Sequence, residues 1–314
     1  SALASEYVPR RVRPFAVTLA IVCVPLGASL TSFVAVGLLL SHTWHTLFLA
    51  GGMAAITISL VLAGLLPESP RYLARDPGRR TELVALLARI GRPVAAISTF
   101  VDPGEQAVAR ASVRALLTAG YRRDTLLLWA AFFSCLLAVY LTLNWLPTLL
   151  RGAGLGVATA NFGLGAFNLG GVAGAIAAAL LIQRFGSRRI MLSLALIAIG
   201  GAAMLSTLRL SPSGSAAQII VLLGVTGAAI NAVQASMYAL AAHIYPTTVR
   251  ATGVGSAATV GRCGAIASAF GGAVALNLGG SSRFFGFTAI AMIVTAGALA
   301  LMKQHVAGSV ARPE

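Results

Sequence analysis

A chain of 314 residues in which 58% of the side chains are hydrophobic and only 10% are charged, with a mean hydropathy of +0.87, is too apolar for a soluble domain of that size and reads as a polytopic membrane protein. The net charge of +15 does not point to nucleic acid, because Lys303 is the one lysine among 23 basic residues and nearly all of them sit between hydrophobic runs, where membrane topology puts them. Cys23, Cys135 and Cys263 each lie inside an apolar run and are too dispersed for a disulfide framework or a metal-binding pair.

The chain opens at Ser1 with about a dozen polar and basic residues, without a methionine or a signal peptide, and we read it as a fragment whose own N-terminus lies upstream. Eight apolar stretches reach the ~18 residues a helix needs to cross the hydrocarbon. They cover roughly 14–40, 46–66, 125–149, 160–182, 190–208, 216–243, 251–276 and 284–302. The long polar segment 67–123 holds one surface helix at about 78–91, then a linker marked by Arg92-Pro93 and Asp102-Pro103-Gly104. Gly170 and Gly174 in the fourth span have the small-xxx-small spacing of close helix packing, which ordinary glycine abundance explains equally well.

The basic residues orient these spans. Three arginines before residue 14, ten from Arg71 to Arg123, Arg184, Arg188, Arg189, Arg250, Lys303 and Arg312 fall on one side; only Arg151, Arg209 and Arg283 fall on the other. Both ends of the chain and the 67–123 segment are therefore expected in the cytoplasm, in a multi-pass protein of the cell (inner) membrane. The sequence also repeats itself. Pro9-Arg-Arg-Val-Arg13 and Pro246-Thr-Thr-Val-Arg250 share Pro-x-x-Val-Arg ahead of a glycine-containing span, and Gly27 matches Gly264 at the same offset. Two homologous halves explain this, and by symmetry three spans and most of a fourth precede Ser1. The intact protein then has twelve spans, eight of them here. Residues 1–66 are the end of the first six-helix half, 67–123 the central cytoplasmic loop, 124–303 the complete second half and 304–314 a cytoplasmic tail.

Arg262 carries the sharpest chemical signal. It lies twelve residues beyond Arg250, about 18 Å up a helix at ~1.5 Å per residue, near the bilayer midplane. A guanidinium there costs at least ~2.5 kcal/mol unless it faces protein, water or an anion, and its planar fork suits a carboxylate. The alternative is an arginine tied to carbonyls or a polar neighbour. Asn231 and Gln234, three apart on one helix face, either line a cavity or bond between helices, and Tyr238 follows one turn on. Asn144 and Trp145 precede Pro147 near the outer end of their span, where Trp145 is an interfacial anchor or an aromatic wall. At the cytoplasmic surface Glu6, Arg13, Glu68, Arg71, Arg184, Arg188, Arg189 and Arg250 are placed for salt bridges between helix ends, or for topology alone. No metal-ligand spacing, phosphate loop or catalytic constellation appears, so no cofactor and no enzyme are indicated. All eight acids, Glu6, Glu68, Asp76, Glu82, Asp102, Glu105, Asp124 and Glu314, lie outside the spans, so any proton-carrying carboxylate belongs to the missing ones.

Several motifs resemble those of one superfamily. Leu66-Pro-Glu-Ser-Pro-Arg-Tyr-Leu73 is similar to the motif closing the sixth span in several branches of the major facilitator superfamily. GYRRDTLLLWAAFF from Gly120, NWLPTLL from Asn144, FNLGGVAGA from Phe167, YPTTVRATGVG from Tyr245 and GRCGAI from Gly261 resemble the aromatic acid:H+ symporter family in particular. The resemblance covers nearly the whole chain and implies an all-α major facilitator fold and alternating access. It also implies proton-coupled uptake of a benzoate-type carboxylate, with the arginine of the Gly-Arg pair, here Arg262, as a functional residue. The partners expected are thus a small organic anion, protons and the lipid bilayer, and no nucleic acid. The pattern is broken at Gln183, where the loop after the eighth span normally has aspartate, and at His243, where related branches have glutamate. A carrier for another organic acid or a sugar, and a non-transporting truncated remnant, are the competing readings.

Overall fold

The structure, a computed structural model, describes residue 7 and residues 13–41, 43–65, 67–75, 77–89, 113–118, 120–208, 216–245 and 249–306. Glu6, the linker at 92–104, Pro9 and Pro246 of the repeat, and Arg312 lie outside the described residues. Helices make up all the regular structure among the described residues, and no strand occurs there. They are α1 (Arg13–Ser41), α2 (Trp44–Leu65), α3 (Pro70–Arg75), α4 (Arg80–Arg89), α5 (Val113–Leu116), α6 (Arg122–Gly152), α7 (Val157–Phe185), α8 (Ser187–Thr207) and α9 (Ala216–Ile244). The last helical stretch, Arg250–Leu301, is broken by non-helical backbone at Gly279 and Gly280. We treat it as α10 (250–278) and α11 (281–301). Gly280 has φ +61° with no atom near its missing side chain, so the break rests on glycine's tolerance of left-handed backbone.

The eight apolar stretches of the sequence coincide with α1, α2 and α6 to α11. Among the described residues six helical stretches, Arg250–Leu301 one of them, are long and apolar enough to cross a membrane, and the chain is a multi-pass membrane protein. The expected surface helix at 78–91 is α4 with the 3-10 turn Pro77–Arg79 in front of it.

The chain divides into two compact units. One comprises residues 1–24 and 41–109. In it α2 has no buried side chain, Leu73 and Leu83 are the buried residues of α3 and α4, and Arg79 pairs with Glu82 one turn on at 2.7 Å.

The other unit comprises residues 25–40 and 110–314. Here α6 lies along α10 and α11, α7 along α9, and α8 against both α9 and the Arg250–Leu301 stretch. Because lipid is as apolar as leucine, such helices associate through close van der Waals contact rather than hydrophobic transfer, and small residues decide how near they come. The α7–α9 contact shows this at Gly170, Gly174 and Gly227. A methyl group at these positions would overlap the backbone of Gly224, Ala228 and Phe167 respectively. The spacing noticed in the sequence is therefore a packing device. Beside it, Ser29 of α1 donates to the Gly165 carbonyl at 3.3 Å and Phe33 lies 6.0 Å from Phe162 between ring centroids. A single residue, Gly186 at φ 86°, joins the end of α7 to the start of α8.

Gly174→Ala is expected to lower the melting temperature of the detergent-solubilised protein, because the added methyl forces α7 off α9 at a cost of about 1–3 kcal/mol. Gly200→Ala, where nothing lies within 4 Å of the new atom, is expected to leave it unchanged or raise it, since alanine favours the helix by ~1 kcal/mol. Equal melting of the two variants would remove the packing role given to Gly174.

Candidate functional site

The seam between α6 and α10 is built from alternating glycine and polar contacts. Gly264 brings α10 against the Phe133 carbonyl, Gly261 against Leu136 and Phe132, and Gly272 against the indole of Trp145. With the backbones this close, short polar side chains meet across the seam. Trp129 Nε1 donates to Ser256 Oγ at 3.2 Å and Asn144 Nδ2 to Ser268 Oγ at 3.5 Å. Both helices run in the same direction along the seam, since 129 meets 256 and 144 meets 268.

Arg262 sits between these two contacts. Its Nη1 donates to the Tyr140 hydroxyl oxygen at 2.5 Å, and its Cζ lies 5.7 Å from the centre of the Tyr140 ring. The guanidinium is exposed and no carboxylate pairs with it among the described residues. Tyr140 and Asn144 are four apart on α6 and so share its α10-facing side. Tyr238 of α9 is within electrostatic reach of both Arg262 and Tyr140, and its ring packs edge-on against Phe132 with centroids 5.0 Å apart. The chemistry available is a cation bonded to one phenol, with a second in electrostatic reach and no fixed counterion among the described residues.

The other residues singled out from the sequence are distributed unequally about this centre. Gln234, one turn before Tyr238, is half-buried. Asn231 is 9% exposed, gives its amide to the Gly227 carbonyl of its own helix at 2.9 Å and presses on Gly171, so its place is in the α7–α9 packing. Trp145 is half-buried with its ring over Gly272. Tyr140 was given no role from the sequence. A lone tyrosine one turn from Asn144 within an apolar span was the available signal.

The basic end of the bundle, where α6, α8 and α10 begin, has an arrangement that the charge pattern did not suggest. Arg184, Arg188, Arg189 and Arg250 form no ion pair among the described residues; in the other unit Glu68 forms none either, Glu6 lies outside the described residues, and of the side chains of Arg13 and Arg71 nothing is described. Arginines here bond to backbone instead. Arg188 donates to the Ala300 carbonyl at 3.1 Å, Arg123 to that of Leu301 at 2.9 Å and Arg250 to that of Tyr245 at 3.2 Å, while Arg184 lies over the Phe185 ring. The first two neutralise the exposed carbonyls and negative dipole end of α11. The residues after α11 then fold back as a clasp. Asp124, 5% exposed, accepts from the Lys303 backbone N–H at 3.0 Å. Ser187 exchanges two bonds with Val306: its N–H donates to the Val306 carbonyl at 2.9 Å, and its Oγ accepts from the Val306 N–H at 2.8 Å. His305 bridges Ser187 Oγ at 3.3 Å and the Leu299 carbonyl at 3.1 Å. In the neighbouring layer Tyr245 donates to Thr125 Oγ1 at 3.0 Å, and burial pushes its phenol above the ordinary value.

The sequence model of the Major Facilitator Superfamily matches residues 1–267 and 128–313. The chain is similar to a gallate transporter of Pseudomonas putida, 34% identical over 96% of this chain and 66% of that protein. It is also similar to the 4-hydroxybenzoate transporter PcaK of Pseudomonas aeruginosa, 36% identical over 88% of this chain and 61% of the relative. With the PcaK of Acinetobacter baylyi the identity is 35% over 95% and 65%. The chain thus spans less than two thirds of the length of these relatives.

The clasp makes a pH-dependent prediction. Burial holds the His305 imidazole below its ordinary 6.5; the Leu299 carbonyl opposes this, the Arg188 charge adds to it and Asp124 opposes it. A depressed histidine means that the folded clasp holds the neutral ring. Its contribution is complete above 6.5 and is lost as pH falls below that value. Melting temperature in detergent should drop on acidification through this range, and His305→Gln should remove part of the drop. Ser187→Ala should destabilise at neutral pH by about 1 kcal/mol per bond lost. Identical pH profiles for wild type and His305→Gln would contradict the assignment.

Proposed function

Because the chain belongs to the Major Facilitator Superfamily, we propose that it works as a secondary carrier that takes a small aromatic carboxylate into the cell with protons, by alternating access. The observation that supports this most is the state of Arg262: a cation halfway along a membrane-crossing helix, exposed, and bonded to a neutral phenol. A purely structural arginine at that depth is tied to an anion, to carbonyls or to a polar neighbour, and Tyr140 is such a neighbour. One held by a single phenol oxygen retains most of its five donors for a ligand, and the planar fork takes a carboxylate two bonds at a time. The tyrosines around it add apolar ring faces suited to an aromatic body. That two of the relatives are named for gallate and 4-hydroxybenzoate, both aromatic carboxylates, agrees with this chemistry.

In this reading Arg262 grips the carboxylate, Tyr140 and Tyr238 surround it, and Gln234 offers an amide from α9. Asn144 sets the seam through Ser268, while Asn231 and Trp145 shape the helices on either side. The basic end faces the cytoplasm of a cell (inner) membrane protein, since arginines crowd that side. There Arg123, Arg188 and Arg250 fix helix ends as well as orientation. The eight carboxylates of the chain lie outside its apolar spans, so the proton-carrying group of this proposal is not one of them.

In the full-length protein, Arg262→Lys is expected to reduce uptake of labelled 4-hydroxybenzoate at least about tenfold in kcat/KM at matched expression, because a point charge lacks the bidentate fork. Uptake at the wild-type rate would leave Arg262 a structural or purely electrostatic role. For topology, single cysteines at positions 43 and 100 in an otherwise cysteine-free protein should react differently with an impermeant thiol reagent added to intact cells. Labelling at 43 and none at 100 is expected, and the reverse would invert the orientation.

A further inference from the structure

Tyr140 does more at this site than shield Arg262. We propose that Tyr140 is a carboxylate-binding residue that acts jointly with Arg262, its oxygen orienting the guanidinium and its proton supplying a further donor to the same anion. The inference rests on the reading of Arg262 as the anion anchor.

Two contacts set the geometry. The phenol oxygen accepts from Arg262 Nη1 at 2.5 Å, and the guanidinium carbon stands 5.7 Å from the ring centre. A flexible arginine side chain is thereby restrained at one nitrogen, so less rotamer freedom is lost when the anion arrives. A hydroxyl that accepts through its oxygen still has its own proton to give. Among the described residues that proton has no acceptor. The guanidinium and the O–H are adjacent donors, and a carboxylate with two oxygens is the acceptor that satisfies both.

Tyr140 is itself held in place by the seam. The Trp129–Ser256 bond lies nearer the start of α6 and the Asn144–Ser268 bond one turn further on. Gly261 and Gly264 hold the two backbones together on either side of Arg262. The ring is half-buried against the core cluster that runs through the helices of this unit. Its position relative to Arg262 is therefore a property of the bundle rather than of one rotamer. A plain spacing role would need only the ring, since phenylalanine fills nearly the same volume. The hydroxyl is what distinguishes a binding role from a packing one.

The experiment compares Tyr140→Phe, Arg262→Lys, the double variant and Gly200→Ala in the full-length protein by uptake kinetics of labelled 4-hydroxybenzoate in cells, with surface expression and melting temperature measured alongside. Tyr140→Phe should raise KM about tenfold, the loss of one hydrogen bond to a charged group, with the maximal rate near wild type. In the Arg262→Lys background the same substitution should change KM less than twofold, because residues sharing one ligand couple. Gly200→Ala, on α8 outside the seam and with nothing within 4 Å of the added methyl, should leave KM as it is. An unchanged KM in Tyr140→Phe, full additivity with Arg262→Lys, or an equal rise in Gly200→Ala would overturn the proposal. Failure of Arg262→Lys to impair uptake would instead sink the anion-anchor reading beneath it. If Tyr140→Phe does not reach the membrane, Tyr140→Trp keeps an aromatic face without a hydroxyl, and the same rise in KM is required of it.

Discussion

A guanidinium halfway along a membrane-crossing helix is the constraint on which the interpretation of this bundle depends. The penalty for such a group is at least ~2.5 kcal/mol on insertion scales and several times larger in simulations of an isolated helix. The chain meets it without a carboxylate among the described residues. It draws α6 and α10 together at Gly261 and Gly264, and the approach carries the Tyr140 hydroxyl to the cation. A phenol is a weak partner for a buried charge compared with an acid. That weakness leaves Arg262 open to exchange: a permanent salt bridge would satisfy the guanidinium fully, whereas a neutral acceptor occupies one of its donors.

The remainder of the unit gives that pair a frame. The α7–α9 contact uses glycine against backbone at Gly170, Gly174 and Gly227, the closest mode of helix packing available where lipid provides no hydrophobic drive. At the basic end, the strand of chain after α11 ties the starts of α6 and α8 together through Asp124 and Ser187, and the arginines cap carbonyls rather than pair with acids. Carriers of this superfamily work by rocking helix bundles around a central site. A bundle that moves as a body needs its helix ends fixed to one another, and the clasp fixes three of them with backbone groups that carry no sequence-visible charge pattern.

Much of this architecture was legible in the sequence, for simple physical reasons. Crossing hydrocarbon requires length and apolarity, so the eight spans announced themselves; that the last two part at Gly279 and Gly280 is seen in the structure. Arg262 stood out because a charge inside an apolar run is rare. The reach of such reasoning ended at contacts between distant segments. Tyr140 and Arg262 are 122 positions apart, and only the glycine-set seam makes them neighbours. Asn231 had two readings in the sequence, lining a cavity or bonding between helices; its amide instead bonds the Gly227 carbonyl of its own helix while its side chain packs on Gly171 of α7. The basic end shows the same limit. Its arginines were visible as charges, but bonding to carbonyls depends on where α11 ends in space, and Ser187 and His305 carry no pattern at all before the chain folds back on itself.

The central claim is that Arg262 recognises a carboxylate, and equilibrium binding to the purified protein addresses it most directly. Binding of 4-hydroxybenzoate and of its uncharged amide would be measured to wild type and to Arg262→Gln. The account predicts that wild type prefers the acid to the amide by at least about a hundredfold, the loss of an ion pair and its hydrogen bonds, and that Arg262→Gln abolishes the preference. Equal binding of acid and amide by wild type, or an undiminished preference in Arg262→Gln, would contradict it.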